Sequence, residues 1–220
     1  MKKLVLLVGV FALLSLSFSG ESNAKQTRRD GKWESSFKLL NSLSTDVDGG
    51  MGSSIDIDSD IGWGFSLGYN LNPHILVNYE FTSITPKYDA TLVDENNDTY
   101  EVNHKMNLYN SQFNVVYNFT TEQFTPFVQA GLGWSYVDSN VADGPPNGFC
   151  WWHPIWGYIC ESYQNTHDDT RFSYNVAAGM RYELDNSMFI RASYQQNWID
   201  LSSSDDLSIG MFHIEVGSIF

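Results

Sequence analysis

The sequence predicts an all-β protein, an eight-stranded antiparallel up-and-down transmembrane β-barrel. Large apolar residues recur at every second position in eight separate segments, which is the period of a strand and not of a helix. The connections between these segments alternate strictly between short and long. That parity matches barrels of the outer membrane, whose short turns face the periplasm and whose longer loops face outward. Aromatic residues make up 15% of the chain, and several stand at strand ends, where a ring with an apolar body and a polar tip suits the boundary of lipid and water.

The N-terminus begins MKK, continues with an apolar run over 4–18, and reaches Ser22 and Ala24 as the small residues of an A-x-A-like site. This tripartite pattern reads as a secretory signal peptide over 1–24, leaving 25–220 as the barrel. The run is shorter than the roughly 20 residues of a spanning helix. No cysteine follows it closely, so no lipid anchor is expected.

The 220 residues carry a formal charge of −14. Without Lys2, Lys3 and Glu21, 10 basic and 25 acidic residues remain. Such a chain is not expected to bind nucleic acid, which needs basic residues to neutralise phosphates. Mean hydropathy is −0.27, and averaging of this kind misses a barrel, whose apolar residues occupy alternate positions.

Weak alternation opens the barrel at 33–41. The clearest strand is IGWGFSLGYN at 61–70, where Ile61, Trp63, Phe65, Leu67 and Tyr69 oppose small or polar residues. In 74–82, Ile75, Val77, Tyr79 and Phe81 oppose His74, Asn78, Glu80 and Thr82. Weaker alternation returns at 107–119 and 124–137. In 171–184, Phe172, Tyr174, Val176, Met180 and Tyr182 oppose Arg171, Ser173, Asn175, Arg181 and Glu183. Strands at 187–198 and 207–220 complete the set. The gaps at 71–73, 120–123 and 185–186 are short; those at 42–60, 84–106, 138–170 and 199–206 are longer. Tyr69, Tyr117 and Tyr182 close strands just before the short turns and read, with Phe220, as a membrane girdle at the periplasmic rim.

Eight strands enclose a space about wide enough for side chains to fill. Parity turns Glu34, Lys38, Glu80, Arg181, Arg191 and Glu215 inward, together with Glu183, His213 and a set of amides. Buried charges must pair, so this lumen polar network is expected either to plug the barrel or to line a path for a small solute. The long connections hold 18 of the 25 mature acidic residues. Partners expected on this basis are outer-membrane lipid and lipopolysaccharide, with divalent cations bridging carboxylates to phosphates. Asp56, Asp58 and Asp60 share the inward parity of the second strand and are expected to ring the outer mouth if that strand extends. The acidic run lacks the spacing of a calcium loop, and no metal site or cofactor is expected.

The third long connection contains FCWWHPIWGYIC. Zinc would want four ligands at a recognisable spacing, and a redox motif would want C-x-x-C. In an exported chain, Cys150 and Cys160 read as a structural disulfide, which would contribute roughly 2 to 3 kcal/mol to ordering so short a loop. Trp151, Trp152, Trp156 and Tyr158 then form either the small core of a stapled knob or an exposed ligand-binding surface.

The stretches DIDSDIGWGFSLGYNLNPHILVNYEF, FTPFVQAGLGW and FSYNVAAGMRYELDNSMFIRASY resemble the OmpW/OmpX-type small outer-membrane β-barrels. The aromatic C-terminal residue is similar to the signal by which barrel assembly machinery recognises such chains. The resemblance implies residence in the outer membrane of a Gram-negative bacterium and binding or admission of small hydrophobic molecules at the external mouth. The alternative is a structural or surface-interaction barrel, adhesin-like or receptor-like, with a closed interior. His104, Ser202, Ser203 and Asp205 form no local motif, so no enzyme is expected.

Overall fold

The computed structural model describes residues 29–48, 54–93, 99–142, 147–153, 157–163, 166–184, 187–200 and 207–220. The expected signal segment lies outside them. Eight strands close a barrel: β1 (Trp33–Ser42), β4 (Asp60–Asn70), β5 (Ile75–Ile84), β8 (Asn107–Asn118), β9 (Phe124–Ala142), β12 (Thr166–Glu183), β13 (Met188–Ile199) and β14 (Leu207–Ile219). Their order around the wall is β1-β14-β13-β12-β9-β8-β5-β4, and β1 pairs antiparallel with both β14 and β4 to close it. The predicted fold class and all eight predicted strands are borne out.

The long connections differ from their expected loop character. The first holds β2 (Thr45–Asp48) and β3 (Ser54–Ile57), and the second β6 (Lys87–Val93) and β7 (Thr99–Lys105). These form a sheet of order β2-β3-β6-β7. The third holds the hairpin of β10 (Asn147–His153) and β11 (Gly157–Tyr163). Strands β9 and β12, of 19 and 18 residues, run beyond the barrel and stay paired. The apolar residues of these additions are few and interrupted by acidic ones, as in SIDI at 54–57 and KYDATLV at 87–93, so the long connections read as acidic loops.

Asp56 and Asp58 do not ring the mouth. The strand breaks at 58–59, where the Asp58 N–H donates to the Lys87 carbonyl at 2.9 Å. Asp56 therefore lies in β3, and both carboxylates are exposed.

Alternation sorts the wall cleanly. Phe37, Leu39, Phe65, Leu67, Phe113, Val115, Leu132, Trp134, Phe172, Val176, Phe212 and Ile214 are all exposed on the outer face, as a lipid-facing wall requires and a water-facing wall would not tolerate. Contact between rings continues across strands, with Phe65 and Phe81 stacked at 5.4 Å and Tyr174 and Trp198 at 5.2 Å. The short turns gather at one end. Asn72 shapes the first, its side-chain oxygen accepting from the N–H groups of His74 and Ile75 at 2.8 and 2.9 Å, a local device that favours Asn in turns.

Candidate functional site: the barrel interior and its two ends

The interior is layered. Nearest the short turns, eight charged side chains form one alternating chain of four cations and four anions. Arg29 meets Glu183 at 3.0 Å, and Glu183 meets Arg181 at 3.0 Å. Arg181 holds Glu34 in a two-pronged grip at 2.8 and 2.9 Å, the geometry that makes arginine suited to carboxylates. Arg191 bonds Glu34 as well, and reaches Glu215 at 2.9 Å. Lys38 then lies 3.5 Å from Glu215 and 2.7 Å from Glu80. All eight are buried.

Position along the strands explains the meeting. Register sets Lys38 opposite Glu215 and Arg191 opposite Glu215, on the two sides of β14. Glu34 and Arg181 come from strands that are not neighbours, so closure of the barrel brings them together. Phe189, fully buried, lies under both guanidiniums, with Arg181 at 4.2 Å and Arg191 at 4.4 Å from its ring centre. A ring face between two like charges attracts each. Its inward parity in Met188–Ile199 gave the one available hint.

Arg29 escaped the sequence reading because it precedes the first strand and has no parity. Its Nε donates to the Pro73 carbonyl and its Nη2 to the Thr120 carbonyl, each at 2.6 Å. With Glu183 beside the third turn, one fully buried side chain joins all three short turns. Burial and the neighbouring Arg181 push its guanidinium down to about 10, which leaves it charged at neutral pH.

Above the charges lies a layer of amides. Asn175 donates to Gln112 at 2.7 Å and to Asn114 at 2.8 Å, and Gln112 donates to Asn197 at 2.7 Å. Gly131 makes room for it, since a side chain there would occupy the space of the Asn114 amide. At the long-connection end the interior turns apolar, where Leu40, Ile84, Leu108, Ile199, Ile209 and Met211 pack with Ile57, Tyr88, Ala90 and Met106 of the outer sheet and its links. This apolar plug is an addition to the lumen polar network expected from the sequence. Each barrel member has the inward parity of the charged residues, so parity alone could have found it.

The remaining predicted residues are placed as follows. Tyr117, Tyr182 and Phe220 are exposed on the outer face at the short-turn end, and Tyr69 there is half-buried beside Trp33, with ring centres 5.2 Å apart. Phe220 closes the wall through mutual backbone hydrogen bonds with Trp33 at 2.9 Å. In the β10–β11 hairpin, Cys150 stands opposite Cys160, Trp151 opposite Ile159 and Trp152 opposite Tyr158. Trp152 is 72% exposed and Tyr158 68%. Trp156, Ser202, Ser203 and Asp205 lie outside the described residues. Among the described residues, no group of three or more His, Cys, Asp or Glu is arranged to hold a metal ion.

Residues 10–220 match the family of the outer membrane protein beta-barrel domain. Solved structures of similar fold include Neisserial surface protein A, at 14% identity and TM-score 0.56 over 86% of this chain and 97% of that one. OprG from Pseudomonas aeruginosa aligns at 12% identity and TM-score 0.51 over 89% and 98%. Ail of Yersinia pestis, solved with the heparin analogue sucrose octasulfate, aligns at 16% and 0.51 over 87% and 99%. At such identities the likeness speaks for the fold alone. Among curated proteins no relative matches. An outward apolar wall, an enclosed polar interior and a match over nearly the whole chain together place this protein in the outer membrane β-barrel domain family, as a multi-pass barrel of the Gram-negative outer membrane.

Proposed function

We propose that this barrel is closed to solutes and works through its external face, as a surface-interaction protein of the cell envelope. The observation that carries this reading is the interior itself: a neutral chain of eight paired charges below and an apolar plug above. A solute crossing it would have to separate buried ion pairs, and unpairing one buried charge costs about 3 to 5 kcal/mol. Insertion into planar bilayers tests the proposal. The expected record shows no steady single-channel conductance and no swelling of sugar-loaded liposomes; persistent unitary currents would overturn it. The narrower OmpW/OmpX resemblance belongs to this proposal, supported by the quoted strand motifs.

A second reading, capture of a small hydrophobic molecule at the external mouth, is favoured by Trp152 and Tyr158, large side chains exposed on facing strands. Exposed aromatic surface of this kind suits an apolar ligand. Titration with a hydrophobic fluorophore such as 1-aminonaphthalene-8-sulfonate is expected to give saturable binding that weakens about tenfold in Trp152→Ala, a loss of roughly 1.4 kcal/mol. Identical titrations of the two proteins would remove this reading.

A further inference from the structure

We propose that His213 is an acid-sensitive trigger of the closed barrel, taking up a proton when the apolar plug opens. Such a trigger rests on the reading of the barrel as closed to solutes. The sequence has five histidines. His74 stands at the first short turn, His104 in β7, His153 in β10 and His167 at the outer end of β12. His213 stands in β14 and faces the enclosed interior, 3% exposed. Its Nε2 has no hydrogen-bond partner among the described residues.

Its place is the boundary between the two halves of the interior. Leu40, its partner across the β1–β14 register, and Met211, two positions away on the same face of β14, both belong to the apolar plug. In the other direction along β14 comes Glu215, paired in register with Lys38. Lys38 in turn holds Glu80 of β5 at 2.7 Å. His213 is therefore the foot of the plug and the neighbour of the last links in the charged chain.

The charges bearing on the ring are Lys38 from β1, Glu80 from β5 and Glu215 from its own strand, with Arg191 of β13 behind Glu215 at 2.9 Å. The remaining elements add none. Strand β4 turns Gly62, Gly64 and Ser66 inward, and β13 sets Ser193 opposite His213. Asn114 of β8 and Gln129 of β9 donate to Glu80, and Asn175 of β12 donates to Asn114. Two cations thus balance two anions around a neutral imidazole.

A proton on His213 would set three cations against two anions beneath an apolar layer, and an uncompensated buried charge is costly. The closed barrel therefore keeps the ring neutral. Opening of the plug lets water reach it, and a hydrated imidazole takes up a proton below about pH 6.5. Glu80 has an acceptor to spare for the charged ring, since its Oε1 is buried without a partner among the described residues. Because the open form binds a proton that the closed form does not, acid favours opening, by roughly tenfold for each pH unit below about 6.5. Above that range the proton is absent from both forms and opening gains nothing.

The experiment records the full barrel in planar bilayers at about pH 7.5 and about pH 5, an interval in which histidine is the side chain that ordinarily changes charge. Wild type is expected to be silent at the higher pH and to open at the lower, with total open time at least about tenfold greater. His213→Gln, which is polar and does not titrate, is expected to stay silent at both, and His213→Asn likewise. His74→Gln and His104→Gln are expected to keep the acid response. Heat-resistant gel mobility shows that each variant is folded. Wild type silent at both pH values would overturn the trigger and leave the closed barrel standing. Acid openings in a folded His213→Gln or His213→Asn equal to those of wild type would also overturn it. Steady currents at the higher pH would overturn the closed barrel itself, and the trigger with it.

Discussion

Arg29 shows how much one side chain can decide in a barrel of this size. Its planar fork satisfies two turn carbonyls and one carboxylate at once, a geometry that a lysine's single ammonium cannot reproduce. Arg29→Ala is expected to lower unfolding stability in detergent by about 3 kcal/mol, at the lower end for a broken buried pair because Glu183 keeps Arg181. Arg29→Lys should recover only part of that loss. Urea titrations followed by tryptophan fluorescence check both, and an unchanged midpoint in the alanine variant would deny Arg29 its role. The charged residues of the wall were legible from parity because each lies in a regular strand. Arg29 was not, since a residue outside a strand carries no directional signal.

Among the elements, the β10–β11 hairpin joins two of the sequence's separate hints. Its register sets Cys150 across from Cys160, and directly opposed Cα atoms in an antiparallel pair lie about 4.5 to 5.5 Å apart, within the span of a disulfide. We expect the oxidised protein to weigh about 2 Da less than the reduced one by intact mass, two hydrogens being lost on forming the bridge. Cys150→Ser/Cys160→Ser should leave the barrel folded while protease cleaves the third connection several-fold faster. Equal cleavage rates would mean that hydrogen bonding alone orders the hairpin. The outer sheet was illegible at this scale for a physical reason. Strands β2, β3, β6 and β7 are 4 to 7 residues long, and stretches so short do not stand out from an acidic connection.

For the whole molecule, the wall and the interior answer different questions. The wall fixes the environment, because exposed rings and aliphatic chains on every barrel strand demand lipid. The interior bears on transport, and the absence of conductance expected in bilayers follows from charges that are paired and a mouth that is apolar, not from barrel diameter alone. The sequence by itself determined the eight barrel strands, the two faces of each and the short-turn end, because a strand's side chains alternate with a period of two whatever surrounds them. Tertiary structure decided which inward charges meet and that Arg29 joins the turns. Those outcomes depend on how strands are registered around a closed wall, and no local pattern in a chain encodes the distance between residues brought together by closure.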